Sequence, residues 1–322
     1  MAESGEKRRG KGRPRALARF LREHRRAPRH RPEPPAPLPE GRVVAVEGVG
    51  ELFVRDSGGS GPPVLLLHGW LFPSDLTWWR SYERLIAAGY RVLATDYRGH
   101  GRGLRTQEPF RLEDCAADCA ALVARLGCGP VIATGYSMGG PVAQLMARNH
   151  PEAVAGMVLC ATAQEWKSPN QRLFFLGMGL LRWNLTLFPR AAGRWGLLQG
   201  GFPDNEVTSW IVAELSRGSG RDLAEAGRDL SRYDSRPWLR SVGVPAAVVV
   251  TARDDAVPPA KQRELASVLS AERFEVECDH FCVTSRPDAF NPALLRALAA
   301  VRDARGAAAP DAAVAAGEGR AA

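Results

Sequence analysis

The stretch Val131-Ile132-Ala133-Thr134-Gly135-Tyr136-Ser137-Met138-Gly139-Gly140 runs an apolar strand into the start of a helix through a single serine. Its centre is the pattern Gly-x-Ser-x-Gly. With 33 glycines in 322 residues, that pattern alone is weak evidence. Its setting makes it strong. A strand ending in a tight turn, with serine at the apex and a helix directly after, lifts the hydroxyl clear of the sheet. Such a turn strains the serine backbone. It also brings strand and helix so close that side chains at the glycine positions would collide.

Working outward, buried-strand signals flank this segment on both sides. Pro63 to Leu67 ends in His68-Gly69, and Arg91 to Tyr97 is followed by Arg98-Gly99. Downstream lie Val154 to Cys160, Ala246 to Thr251 and Arg273 to Cys278. Between them, Leu112 to Leu126, Gly139 to Asn149 and Pro259 to Leu269 follow helical spacing. A last helix is expected from about Pro292, with Asn291 as its cap. Residues 42–47 and 51–55 read as a hairpin around Gly48 and Gly50. Continuous apolar strands alternating with helices predict an α/β fold, a mostly parallel sheet covered by helices on both faces.

The stretch 164–236 breaks the rhythm and has no convincing strand. Trp166, Phe174, Phe175, Trp183, Phe188, Trp195, Phe202 and Trp210 crowd into its first part. It reads as a helical cap inserted into the core. The run Leu173 to Phe188, interrupted by Arg182, Asn184 and Thr186, is too short and too polar to span a bilayer. The chain then divides into a leader (1–40), a first core part (41–163), the cap (164–236), a second core part (237–304) and an Ala/Gly-rich frayed tail (305–322).

The formal charge of +8 is unevenly placed. Residues 1–40 carry 12 Lys/Arg against 5 Asp/Glu, while the remainder carries 31 against 30. The body therefore offers no broad basic face for nucleic acid. The Arg/Pro-rich leader reads as a solvated, disordered segment, with a weak contact to an acidic surface as its one partner role. It lacks the apolar run of a secretory signal, and Glu3, Glu6 and Glu23 argue against a transit peptide, so a cytoplasmic location is expected. On that reading Cys115, Cys119, Cys128, Cys160, Cys278 and Cys282 are reduced thiols, not a disulfide framework. Neither Cys115/Cys119 nor Cys278/His280/Cys282 has zinc-ribbon spacing, and no metal or cofactor is expected. The chain contains no Gly-x-x-x-x-Gly-Lys-Ser/Thr, because Gly12 follows the partial match from Gly5 to Lys11, and no Gly-x-Gly-x-x-Gly, which sets aside a P-loop or dinucleotide enzyme.

A serine hydroxyl needs a base to act as a nucleophile. Of six histidines, His24 and His30 lie in the leader, His68 and His100 in Gly-flanked turns, and His150 at a helix end before Pro151. His280 follows the last strand in a loop and is the candidate base. The base needs a carboxylate to hold its tautomer. Asp254 and Asp255, just after the strand Ala246 to Thr251, both qualify. Backbone N–H groups of Met138, after the serine, and of Trp70, after His68-Gly69, are the candidate donors to an oxyanion.

These segments resemble the α/β-hydrolase superfamily over about residues 42–303. The likeness rests on His68-Gly69-Trp70, on Asp96-Tyr97-Arg98-Gly99-His100-Gly101, on the Gly135 to Gly140 turn, and on the Asp254 and His280 segments in that order. The Asp-x-Arg-Gly-His-Gly turn is similar to that of the esterase, C–C hydrolase and cofactor-free haloperoxidase branches. The superfamily's Gly-x-x-Asp-x-x-Val-Pro pattern corresponds to Thr251 through Pro258 and favours Asp254 over Asp255. Three departures stand out: Thr251 for Gly, Asp279 before the histidine where Gly is common, and Gly103 where Ser is frequent. A carboxylate at position 279 would be expected to raise the pKa of the base.

The resemblance implies a serine hydrolase cleaving a carboxylic ester, or related acyl compound, with an apolar acyl or ring moiety. Ser137, His280 and Asp254 would form its triad, and a serine nucleophile excludes the aspartate mechanism of dehalogenases and epoxide hydrolases. C–C bond hydrolysis, thioester hydrolysis, perhydrolysis and a silent ligand-binding role use the same scaffold and stay open. The cap aromatics would line an apolar pocket or merely glue the cap to the core.

Overall fold

A computed structural model describes residues 32–199 and 202–318 of the chain. Eight strands form one sheet in the order β1-β2-β4-β3-β5-β6-β7-β8. They are β1 (Gly41–Val46), β2 (Gly50–Asp56), β3 (Pro63–Leu67), β4 (Arg91–Thr95), β5 (Val131–Tyr136), β6 (Val154–Cys160), β7 (Ala246–Thr251) and β8 (Glu272–Val276). The hairpin β1–β2 joins antiparallel to β4, and every pairing from β4 to β8 is parallel. β5 and β6 are buried along their whole length, which is why their sequences are unbroken apolar runs with no alternation.

Helices cover both faces. Among the core helices are α1 (Ser74–Trp78), α2 (Tyr82–Ala87), α3 (Leu112–Leu126) and α4 (Gly139–Asn149). On one face Leu112, Cys115, Cys119 and Val123 of α3 and Val142 and Met146 of α4 pack on the sheet. On the other, Trp78, Tyr82 and Leu85 meet Phe290, Leu294 and Leu298 near the C-terminus. Helices α1 and α2 had no periodic signal. They are too short to show one, and burial of Trp78 and Tyr82 holds them in place.

Five helices lie between β6 and β7: α5 (Pro169–Leu176), α6 (Met178–Leu187), α7 (Pro189–Gln199), α8 (Glu206–Leu215) and α9 (Gly220–Arg232). An isolated bridge between Glu165 and Asp234 closes the neck of this insertion. The chain ends with α10 (Pro259–Val268), α11 (Cys282–Ser285) and α12 (Pro287–Glu318).

Two expectations differ here. The last helix begins at Pro287, so Asn291 is not a cap. Its buried side chain accepts from Ser81 Oγ at 2.7 Å and donates to Arg80 O at 2.9 Å, tying α12 to the loop before α2. The expected frayed tail is instead helical as far as Glu318, in keeping with the helix propensity of alanine. Residues 1–31 of the leader, with His24 and His30, lie outside the described residues. Among the described residues no helix is long and apolar enough to cross a membrane.

Candidate active site

The four parallel strands that matter end on the same edge of the sheet, where crossover connections leave a crevice. Ser137 follows β5, Asp254 follows β7, His280 follows β8, and Gly69-Trp70-Leu71 follow β3. Ser137 sits at φ 53°, the only positive φ in the turn from Gly135 to Gly140. Its N–H donates to Cys160 O at 2.9 Å, and Thr162 Oγ1 donates to Ser137 O at 2.8 Å, so the β6 end clamps the strained residue. The glycines are sterically required. A Cβ at Gly135 would stand 2.3 Å from Gly139 O, and one at Gly139 would stand 2.2 Å from Leu67 O.

Ser137, His280 and Asp254 form one hydrogen-bonded chain. His280 Nε2 lies 3.0 Å from Ser137 Oγ, and His280 Nδ1 lies 2.7 Å from Asp254 Oδ2. Asp254 is 3% exposed and is the carboxylate within hydrogen-bond distance of His280, whereas Asp255 is exposed at the pocket mouth. Asp254 Oδ1 accepts the N–H groups of Ala256 (2.9 Å) and Val257 (2.8 Å). Its Oδ2 also accepts from Thr251 Oγ1 at 2.7 Å and Gln262 Nε2 at 3.3 Å. Neutral donors on every side stabilise the carboxylate without a salt bridge that would compete with the imidazole.

Thr251 and Gln262 were not read as site residues. Thr251 did register as a departure from glycine, and its hydroxyl supplies the reason. Gln262, on α10, also accepts the Thr251 N–H at 3.0 Å and donates to Val257 O at 2.8 Å, but nothing in its sequence neighbourhood announces this.

The other departures resolve as well. Asp279 is exposed, and its Oδ1 accepts the Phe281 N–H at 2.9 Å; the carboxylate that meets the ring is Asp254. A Cβ at Gly103 would fall 2.1 Å from Tyr97 O, so this turn has no room for serine. Cys278 and Cys282 are joined in a disulfide, which corrects the expectation of six reduced thiols. That expectation rested on the compartment. The two cysteines approach because the loop between β8 and α11 folds back on itself, with Cα atoms 5.6 Å apart. Cys115, Cys119, Cys128 and Cys160 are free.

Met138 directly follows Ser137, and Trp70 lines the same pocket as the serine. Trp70 Nε1 donates to Leu223 O of α9 at 2.7 Å, anchoring the β3 loop to the insertion. Met138 is fully buried and precedes the first residue of α4. The serine opens into a cavity of about 400 Å³ lined by Trp70, Leu71, Phe72, Leu76, Trp166, Phe175, Leu230 and Phe281. Of the insertion's aromatics, Trp166 and Phe175 line it, Trp210 packs on Trp79, and Trp183, Trp195 and Phe202 are exposed.

His68 and His100 sit in loops, as their glycine neighbours suggest, but neither is a surface residue. Both are fully buried, with rings 5.1 Å apart. His68 Nδ1 donates to Gly69 O at 2.8 Å, and Nε2 accepts the Tyr97 N–H at 3.0 Å, an arrangement only the neutral ring can make. Burial pushes His68 down to about 4. Burial, then repulsion from His68, pushes His100 down to about 3. Folded-state values below the unfolded value of about 6.5 mean that the unfolded chain takes up these protons first. Stability is therefore complete above pH 6.5 and drains as pH falls toward 4. Each histidine should cost about 2 kcal/mol between pH 7 and pH 5. Urea unfolding at the two pH values should show His100→Gln losing clearly less stability on acidification than wild type. Equal losses would contradict the assignment. Asp222, Asp229 and Glu214, raised mainly by burial, act in the opposite direction, and both proteins share them.

Comparison with known proteins places the chain in a family. The model of the "Alpha/beta hydrolase family" matches residues 64–293. The chain belongs to that family. This hydrolase is 31% identical to a non-heme haloperoxidase from Rhodococcus erythropolis, over 70% of its own length and 86% of the relative's. It is 26% identical to 3-oxoadipate enol-lactonase 2 from Acinetobacter baylyi, covering 64% and 78% of the two chains. Among solved structures, it overlays a thermophilic esterase from Thermogutta terrifontis with a TM-score of 0.67 at 24% identity, covering 81% of this hydrolase and 99% of the esterase.

Proposed function

We propose that this α/β hydrolase is a serine esterase acting on esters with an apolar acyl or ring moiety, through an acyl-enzyme. The observation that carries the reading is the continuous chain Ser137–His280–Asp254 opening onto an apolar cavity. Ser137 Oγ attacks the carbonyl carbon as His280 Nε2 takes its proton, and Asp254 keeps the Nδ1–H tautomer and steadies the imidazolium. The N–H groups of Met138 and Trp70 receive the oxyanion, the first at the start of α4, where the helix dipole also favours negative charge. His280 returns the proton to the leaving alkoxide. It then takes one from the water that releases the acid. No step needs a metal or an organic cofactor.

The insertion between β6 and β7 serves as a cap over the pocket, and Phe175 and Trp166 are its aromatic contribution to substrate binding. A p-nitrophenyl ester series should show kcat/KM rising from acetate toward medium-chain acyl groups. Phe175→Asn should reduce the octanoate value by about tenfold and the acetate value by less than about threefold, the scale of a few lost methylene contacts. Equal losses on both esters would mean that Phe175 only packs the cap. Absence of turnover across the whole ester series would overturn the esterase reading.

A further inference from the structure

From the exposed face of the insertion, we infer that α5, α6 and α7 dock this hydrolase onto an anionic lipid surface. Seven of the ten large apolar side chains exposed among the described residues fall between Leu173 and Phe202. Leu173 and Leu176 on α5, and Leu180, Trp183 and Leu187 on α6, recur at spacings of three and four, so each helix carries an exposed apolar stripe. Leu173, Leu176 and Leu180 are 72%, 81% and 72% exposed. The opposite side of the same helices is already used: Gln171 and Phe175 line the pocket, and Met178 is buried. These stripes are therefore surplus to folding.

Its charge identifies the occupant. From Ser168 to Pro203 the sequence has four arginines and no Asp or Glu; Arg194 is paired with Asp204, while Arg182 and Arg190 are exposed. A self-complementary contact through a two-fold axis would bring these arginines together. Anionic headgroups would neutralise them while the leucines and Trp183 enter the acyl boundary. Docking by this face would set the pocket-lining helix α5 against the lipid from which an apolar ester would come.

The test is cosedimentation of the full chain with phosphatidylcholine vesicles, with and without phosphatidylglycerol. Wild type should bind the phosphatidylglycerol vesicles and Leu176→Glu/Trp183→Glu should bind about tenfold more weakly, with p-nitrophenyl acetate turnover within about twofold of wild type. The variant retains the basic leader, so undiminished binding would assign the contact to the leader and overturn the proposal. A wild-type dimer that the variant converts to monomer, with no vesicle binding by either, would assign the face to a second copy and overturn it too.

A separate observation concerns the candidate base, and this second inference rests on the esterase reading. We propose that the Cys278–Cys282 disulfide is a clamp that positions His280. The bond closes the five-residue ring Cys278-Asp279-His280-Phe281-Cys282 with His280 at its centre. One end is fixed to the loop of Asp254, since Arg253 N–H donates to Cys278 O at 3.0 Å. The other end, Cys282, is the fully buried first residue of α11. Inside the ring, His280 O accepts from Tyr136 Oη at 2.6 Å. Backbone and ring of His280 are thus held from three directions. Reduction by a dithiol adds two electrons and two protons, frees both sulfurs and leaves the dithiol oxidised.

Wild type treated with dithiothreitol, and Cys278→Ser/Cys282→Ser without it, should lose about tenfold in kcat with KM within about twofold, because misplacement of a base affects the chemical step. Glutathione disulfide should restore the reduced wild type and not the variant. An unchanged kcat in both, or free thiols at both positions in active protein, overturns the clamp. Fluorophosphonate labelling of the oxidised wild type separates the two readings: labelled Ser137 with an unchanged variant sinks the clamp alone, whereas no labelling sinks the esterase reading.

Discussion

Ser137→Ala should lower kcat/KM on p-nitrophenyl esters by about 10⁵-fold, down to what binding and oxyanion donors supply without a nucleophile. The structure gives a reason to expect the fold to survive. Ser137 contributes its backbone to the turn through the Cys160 O and Thr162 Oγ1 bonds, and alanine keeps both. The melting temperature should therefore stay within a few degrees of wild type. An alanine variant with substantial turnover would remove the serine from the mechanism and leave the pocket to a different chemistry.

The second large effect separates two adjacent carboxylates. Asp254→Asn should cost about 10⁴-fold in kcat, since an amide nitrogen turned toward His280 Nδ1 favours the tautomer with the proton on the wrong nitrogen. Asp255→Asn, at an exposed residue, should stay within about threefold. Steady-state kinetics on the two variants suffice. Comparable losses in both, or a larger one at Asp255, would reverse the assignment. Gln262→Leu, which removes donors to Asp254 and Val257 and an acceptor for Thr251, should fall between these limits, and kcat should carry the loss.

How much of this was legible in the sequence follows from where each piece of information resides. The strands β3, β5, β6 and β7 and the helices α3 and α4 declare themselves because both faces of a parallel sheet are dry and the helices show one buried stripe. The turn at Ser137 is legible because its glycines are enforced by contacts with backbone atoms, which permit no substitute. His280 follows from its position after a strand, whereas position left Asp254 and Asp255 open and only the family's pattern favoured Asp254. The rest depends on tertiary contacts. Thr251 and Gln262 are eleven residues apart and meet only because α10 packs back on β7. His68 and His100, read as turn residues from their glycine neighbours, are buried by the loops that fold over them. The cysteine pair was judged by compartment, which carries no information about how a five-residue loop turns.

The central claim is that Ser137 is an activated nucleophile. Its most direct test is reaction of the full-length protein with a fluorophosphonate, followed by peptide mapping of the adduct. One adduct, on Ser137, is expected in wild type, with a rate of labelling reduced by orders of magnitude in His280→Ala. Labelling confined to another residue, or wild type that stays unlabelled while folded, would contradict it.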